Sequence, residues 1–484
     1  RQRQMCIRDR PKAGINDIME QIFFFQRGDT LFMSDTKRSS FSGRLGFVLA
    51  AAGSAVGLGN IWRFPYLAAK YGGGMFLLVY IVFAVTFGFT LMVTEIAIGR
   101  KTKLSPMSAF GALSKKWNWL GGLATLVPVL ILPYYCLIGG WVTKYAAQMI
   151  AGKVDEAAAA GFFGQFVSKP VEPLIWFFIF ATATTVIILL GVDKGIEKMS
   201  KFLMPALVVL TVALSIFVVT RPGAKAGVEY YLKPDFSKLS VMTFIAALGQ
   251  MFYSMSLAMG IMVTYGSYFN KDESIVKSTR QIEIFDTAVA FLAGLMIVPS
   301  VFVYSGGDEA ALGQGPSLMF DTLPKVFAGM EIGNFIGAAF FLLVLFAALT
   351  SSVSVMEAIV AGITDKYKME RKRATLLVYA YTLLLGMCCA FGFSIWQNFT
   401  IMNMGILDFL DFVSNSILLP VVGLFTCIMV GFAIKPKTIT DEIELNGKFK
   451  EKKFYNVMIK WIAPVFIFAI LVSSVLNTFG VISI

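Results

Sequence analysis

Hydrophobic positions fall along this chain in long blocks rather than in alternation. Apolar segments occupy about 45–69, 74–98, 120–150, 172–191, 198–220, 241–268, 283–304, 335–364, 374–395, 402–434 and 458–482. Each runs to about 20 residues or more, the length a helix needs to cross the hydrocarbon core, and none has the weak alternation of a barrel strand. The pattern predicts eleven membrane-spanning helices. Two of them are interrupted near their middles. The first carries GSAVGLGN at 53–60, and the sixth carries SMSLAMG at 254–260. Glycine is costly inside a helix, and serine competes for backbone hydrogen bonds. Groups freed by a break at membrane depth cannot face lipid and must line a protein cavity. Segment 1 opens a first set of five, and segment 6 opens a second. Interruptions at corresponding positions of two halves point to a transporter's binding site at the repeat interface. Taken singly, either glycine run also reads as tight helix packing.

Composition agrees with the pattern. The chain is 57% hydrophobic and 15% charged, where a soluble protein carries about 25% charged residues. It has no histidine, which removes His-based catalysis, His metal sites and His proton relays. Of the five cysteines, Cys136, Cys388, Cys389 and Cys427 lie in apolar segments and Cys6 does not. No CxxC pair occurs, so they read as packing residues rather than a disulfide or zinc framework.

The net charge of +12 would suggest nucleic acid in a soluble protein. Here its distribution gives a different answer. With the N-terminus inside, the inner segments from residue 34 hold 26 Lys and Arg and the outer loops hold 8. That bias sets the orientation: N-terminus cytoplasmic and, after eleven spans, C-terminus outside, in a plasma (inner) membrane. No linker or soluble domain interrupts residues 34–484, which read as one transmembrane domain. Repeat one covers about 44–220, repeat two about 241–434, and an extra helix about 458–482. Residues 1–33 read as a non-native or disordered N-terminal extension. RQRQMCIRDR has no apolar run and is not a secretory signal; it resembles translated sequencing-adapter read-through, with Met33 as a start. The other reading is a genuine basic tail.

RLGFVLAAAGSAVGLGNIWRFPYLAAKYGGGMFLLVY (44–80), with TEIAIGR (94–100), resembles the first two helices of the neurotransmitter:sodium symporter family. GQMFYSMSLAMGIMVTYGSYF (249–269) resembles its sixth helix, and LTSSVSVMEA (349–358) its eighth. These motifs stand in the family's order, and the resemblance extends over about 38–480. It implies an all-α polytopic membrane protein with two inverted five-helix repeats, helices 1 and 6 broken mid-membrane, plus an eleventh helix, as in the bacterial amino-acid transporter branch. The implied function is sodium-coupled symport of an amino acid or related amine across the lipid bilayer.

A free amino acid carries a carboxylate and an ammonium. The outer half of a broken helix 1 offers N–H groups near Leu58 and Gly59 to the first, and the inner half offers carbonyls near Ala55 to the second. Helix 6 adds carbonyls around Tyr253, Ser254 and Ser256. Tyr135 matches the family tyrosine that holds the substrate carboxylate; an interfacial belt tyrosine is the other reading. Gly57 stands where monoamine carriers of the family place Asp, which implies a substrate bringing its own carboxylate. By resemblance the side-chain pocket is Ile131, Tyr253, Ser256, Met259, Ser351 and Val355, an apolar set suited to a neutral, hydrophobic or aromatic amino acid.

The resemblance implies two Na⁺ sites. The first comprises Ala55, Asn60, Ser254 and Asp286, completed by the substrate carboxylate. The second comprises Gly53, Val56, Ala347, Thr350 and Ser351. Back-bonding to their own helix is the other reading of Thr350 and Ser351. Asp286 replaces the commoner Asn. Tyr80, Gln250 and Ser254 match three of the four groups that hold chloride in chloride-dependent members, and Ala290 replaces the fourth. Asp286 is therefore expected to supply the negative charge itself, so that chloride is not required. Proton antiport on Asp286 is a further option. The outer gate is expected to pair Arg63 with Asp411, directly or through water, above Tyr135 and Tyr253. The inner gate is expected to pair Arg38 with Asp365, supported by Phe41 and Tyr268, with Phe41 in place of the usual Trp. Glu95 is expected to bond the unwound helix 6. Competing readings are an amino-acid-binding sensor without net transport and a proton-coupled carrier. An enzyme is disfavoured, lacking His, a metal cluster or a nucleophile elbow, and nucleic acid is not expected as a partner.

Overall fold

The computed structural model describes residues 40–305 and 317–478. The expected inner-gate residue Arg38 lies outside these, as do residues 1–33 and Cys6. Among the described residues the long helices follow in this order. α1 has two halves, Arg44–Ala55 and Gly59–Lys70, and α2 is Gly74–Thr102, α3 Lys115–Ile150, α4 Glu172–Leu189 and α5 Val192–Val219. α6 also has two halves, Val241–Ser254 and Ile261–Tyr268. Then come α7 Ile275–Ser305, α8 Gly333–Tyr367, α9 Arg371–Phe391, α10 Ile406–Ala433 and α11 Lys452–Leu476. Among the described residues nine of these are unbroken and apolar enough to cross a membrane; the two broken ones are those whose sequences carry the interruptions.

Boundaries differ from the apolar pattern where polar turns extend a helix beyond the hydrocarbon. α7 begins at Ile275 rather than 283, and α3 reaches back to Lys115. α3 also runs on through Pro128 and Pro133, which neighbouring helices make tolerable in a membrane span.

In α1 the first half stops at Ala55, and Val56 is extended at φ −73°, ψ 96°. The chain resumes in a wide π-type turn over Gly59–Arg63, and the two halves meet at 53°. Such turns cluster at functional sites. The Gly57 N–H, freed by the break, donates to Asn60 Oδ1 at 3.0 Å. In α6 the break passes through left-handed conformations at Ser256 (φ 52°), Ala258 (φ 59°) and Gly260 (φ 72°). The Ala258 N–H donates to Glu95 Oε1 at 2.7 Å. A carboxylate on α2 thus supplies the acceptor that the unwound backbone needs, as expected of Glu95.

The broken helices occupy the centre. Every residue from Gly46 to Ala55 is buried. The rim is apolar and exposed, with Ile175 and Ile179 on α4, Leu377 and Leu384 on α9, and Val465 and Phe468 on α11. A core of small residues inside a greasy rim is the packing a bilayer favours.

Candidate functional site

The two breaks face each other across a cavity of about 30 Å³. Its walls are Ser54, Ala55 and residues 57–60 from α1, Tyr253, Ser254, Ser256 and Met259 from α6, Ile131 and Tyr135 from α3, and Ser351 and Val355 from α8. All eleven residues expected to bind substrate therefore line one space. At one end the Leu58 N–H points to the Tyr135 hydroxyl oxygen at 3.5 Å, so a backbone donor and a phenol converge there. Two glycines are required by contact. A Cβ on Gly57 would lie 2.7 Å from Ser351 Oγ and 3.1 Å from Tyr135 Oη, and one on Gly59 would lie 2.6 Å from the Tyr253 ring.

Beside the cavity sits a buried polar cluster. Asn60 Nδ2 donates to Ser254 Oγ at 2.9 Å and to Asp286 Oδ1 at 2.8 Å. The Ser254 hydroxyl donates to Asp286 Oδ1 at 2.9 Å, and the Tyr80 hydroxyl to Asp286 Oδ2 at 3.1 Å. The side chains assigned to the first ion site are thus in mutual contact. Their oxygens suit a hard cation, provided the Asn60 amide turns to offer its carbonyl in place of Nδ2. Gln250, matched to the family's chloride-holding groups, stands apart from this cluster. Its Nε2 donates to the Gly59 carbonyl at 2.9 Å rather than to Asp286, and its buried Oε1 has no partner.

At the second set, Ser351 Oγ lies 3.3 Å from the Gly53 carbonyl, 3.1 Å from that of Ser54 and 3.4 Å from that of Val56. It ties α8 to the end of the inner half of α1. Thr350 behaves as a back-bonding residue, with its hydroxyl on the Phe346 and Ala347 carbonyls at 3.0 and 3.1 Å.

On the outer side Arg63 stacks over the Tyr253 ring at 5.2 Å. Arg63 and Asp411 line one cavity of about 70 Å³, and no direct ion pair joins them among the described residues. Asp411 instead accepts from Asn415 Nδ2 at 2.7 Å. Of the expected direct or water-bridged pair, the direct form is absent. On the inner side Phe41 packs edge-on against Tyr265 and Tyr268, with centroids 5.6 and 6.2 Å away. Asp365 accepts from the Ser105 N–H at 2.6 Å.

Several buried groups escaped the sequence reading. Glu357 accepts from the Tyr268 hydroxyl at 2.6 Å and pairs with Arg371 at 2.6 Å. Arg100, fully buried, pairs with Glu442 at 2.7 Å and donates to Asn446 Oδ1 and the Glu273 carbonyl, both at 2.8 Å. Arg100 signalled itself only as a charge next to an apolar run, which reads equally as a loop charge; Glu357 lies inside the apolar block 335–364, in the motif LTSSVSVMEA.

Comparison with known proteins gives one answer throughout. The profile of the "Sodium:neurotransmitter symporter family" matches residues 38–157 and 169–481. An uncharacterized sodium-dependent transporter of Haemophilus influenzae is 34% identical, covering 91% of this chain and 99% of its own length. One of Bacillus subtilis is 32% identical over 93% and 100%. Among solved structures, MhsT in complex with L-phenylalanine aligns with a TM-score of 0.82 and 37% identity, over 90% of this chain and 100% of its own.

Proposed function

This chain belongs to the sodium:neurotransmitter symporter family and is a multi-pass, sodium-dependent transporter rather than an enzyme, and from that premise we propose that it imports a neutral, hydrophobic or aromatic amino acid together with sodium. The observation that carries the reading is the single cavity at the two helix breaks. There the Leu58 N–H and the Tyr135 hydroxyl stand beside the Asn60–Ser254–Asp286 cluster. A carboxylate held by the first pair would also face an ion held by the second, and a shared ligand makes each raise the other's affinity. The apolar remainder, Ile131, Met259 and Val355, favours an uncharged side chain, and Met259 can repack around different shapes. The related MhsT was solved with L-phenylalanine, which supports the same class.

The second ion site would use the Gly53 and Val56 carbonyls, Ala347, Thr350 and Ser351, holding α1 against α8. Arg63 and Asp411 would close the outer side through intervening water, and Asp365, Phe41 and Tyr268 the inner side. The Lys and Arg asymmetry supports a cytoplasmic N-terminal side and a plasma-membrane location, with residues 34–484 acting as one transporter domain. Uptake separates transport from sensing. In proteoliposomes, an inward sodium gradient should drive accumulation of L-phenylalanine or L-leucine above equilibrium. Binding without accumulation would assign the protein to the sensor class, and accumulation driven by a proton gradient alone would remove sodium from the mechanism.

A further inference from the structure

Between α10 and α11 the chain turns at one membrane face through a short helix, Lys437–Ile443. The end of α10, this helix and the start of α11 enclose an open cavity of about 510 Å³. Four lysines line it, Lys435, Lys437, Lys452 and Lys460, together with Thr440 and Asn456. Among the described residues only one of the four has a carboxylate partner, Lys452 with Glu444 at 2.7 Å. Of the nearby acids, Glu442 is taken by Arg100 at 2.7 Å and Glu451 lies 3.8 Å from Arg280; Asp441 is exposed on the short helix. The cavity is therefore strongly positive. Asn456, on its wall, has a buried amide oxygen with no partner. Phe432 also borders it and meets Trp461 edge-on at 5.6 Å; the two are 51% and 63% exposed. Exposed aromatics at the ends of spans sit at the headgroup level of a bilayer.

We infer that this cavity binds the phosphodiester headgroup of an anionic membrane lipid, with the phosphate among Lys435, Lys437 and Lys460, a headgroup hydroxyl at Asn456, and the acyl chains beside Phe432 and Trp461. Basic pockets between spans recognise such headgroups by charge. The cavity is distinct from the substrate site: none of its lining residues belongs to the two breaks. A lysine beside an anionic headgroup contributes about fivefold in affinity, so removing three charges should be easy to detect.

The test uses the purified full chain in mixed micelles, with phosphatidylglycerol or phosphatidylcholine as titrant and binding read by native mass spectrometry. The wild type should retain phosphatidylglycerol at least tenfold better than phosphatidylcholine. The K435Q/K437Q/K460Q variant should lose that preference by about tenfold or more. A control with equal charge loss elsewhere, K115Q/K116Q/K372Q, should keep it. Arginine at the same three positions should also keep it, which separates lost charge from lost fold. The inference is overturned if the cavity variant retains full preference or if the control loses as much. It is equally overturned if inorganic phosphate or glycerophosphoglycerol displaces the lipid at matching concentration, because the ligand would then be a free phosphate.

Discussion

Tyr135 and Leu58 meet at 3.5 Å at one end of the central cavity, where we propose the substrate carboxylate binds. A hydrogen bond to a charged group is worth about 1.5–3 kcal/mol. Tyr135→Phe should therefore weaken amino-acid binding about 10- to 100-fold, with at most a small fall in the thermal midpoint, because the ring still packs and only the 3.5 Å acceptor of the Leu58 N–H is lost. Equilibrium dialysis with labelled amino acid checks it; wild-type affinity in the variant would move the carboxylate elsewhere. Asp286 gives a second prediction at this scale. It is fully buried, and it accepts from Asn60, Ser254 and Tyr80 without a cationic side chain among its bonded partners. A buried carboxylate of this kind is costly unless a cation joins it, and we propose that its charge stands in for a separate anion. Sodium-driven uptake should be equal in chloride and in gluconate, and a large fall in gluconate would show that chloride is needed after all.

The broken helices show what an element's sequence reveals and what it hides. The α1 break was legible because Gly53, Gly57 and Gly59 interrupt an apolar run and Asn60 follows, and the structure uses Asn60 to satisfy the freed Gly57 N–H. The α6 break was legible only in outline. Two of its three left-handed residues, Ser256 and Ala258, are not glycines, and no propensity marks them; the surrounding contacts hold them there, Glu95 first. Glu95→Ala should leave the Ala258 N–H buried without an acceptor, at a cost of about 1–3 kcal/mol. The thermal midpoint in detergent should fall, and Glu95→Gln, which keeps an acceptor oxygen, should stay near wild type. A midpoint unchanged in the alanine variant would show that another acceptor supports α6. The Arg100–Glu442 pair was hidden for a different reason. Its members lie 342 positions apart, one at the end of a span and one in a loop that sequence reads as solvated. Arg63 and Asp411 teach the converse. Both line one cavity, but sequence could not tell contact from separation by a gap.

At the scale of the whole molecule, the apolar blocks sufficed to mark out the nine unbroken spans among the described residues, and the two interruptions sufficed to locate the centre, because membrane burial leaves a chain few ways to satisfy its backbone. The gates are the less legible part, since they depend on side chains from spans far apart in sequence. The central claim is that one cavity couples an amino acid to sodium through shared neighbours, Leu58 and Tyr135 on one side and Asn60, Ser254 and Asp286 on the other. Linkage makes that coupling reciprocal: sodium must raise amino-acid affinity by the factor by which the amino acid raises sodium affinity. The most direct measurement is binding of a panel of radiolabelled neutral amino acids to the purified protein in sodium chloride and in choline chloride. The account predicts saturable binding of at least one hydrophobic or aromatic amino acid in sodium and its loss in choline. Equal binding in both salts would contradict it.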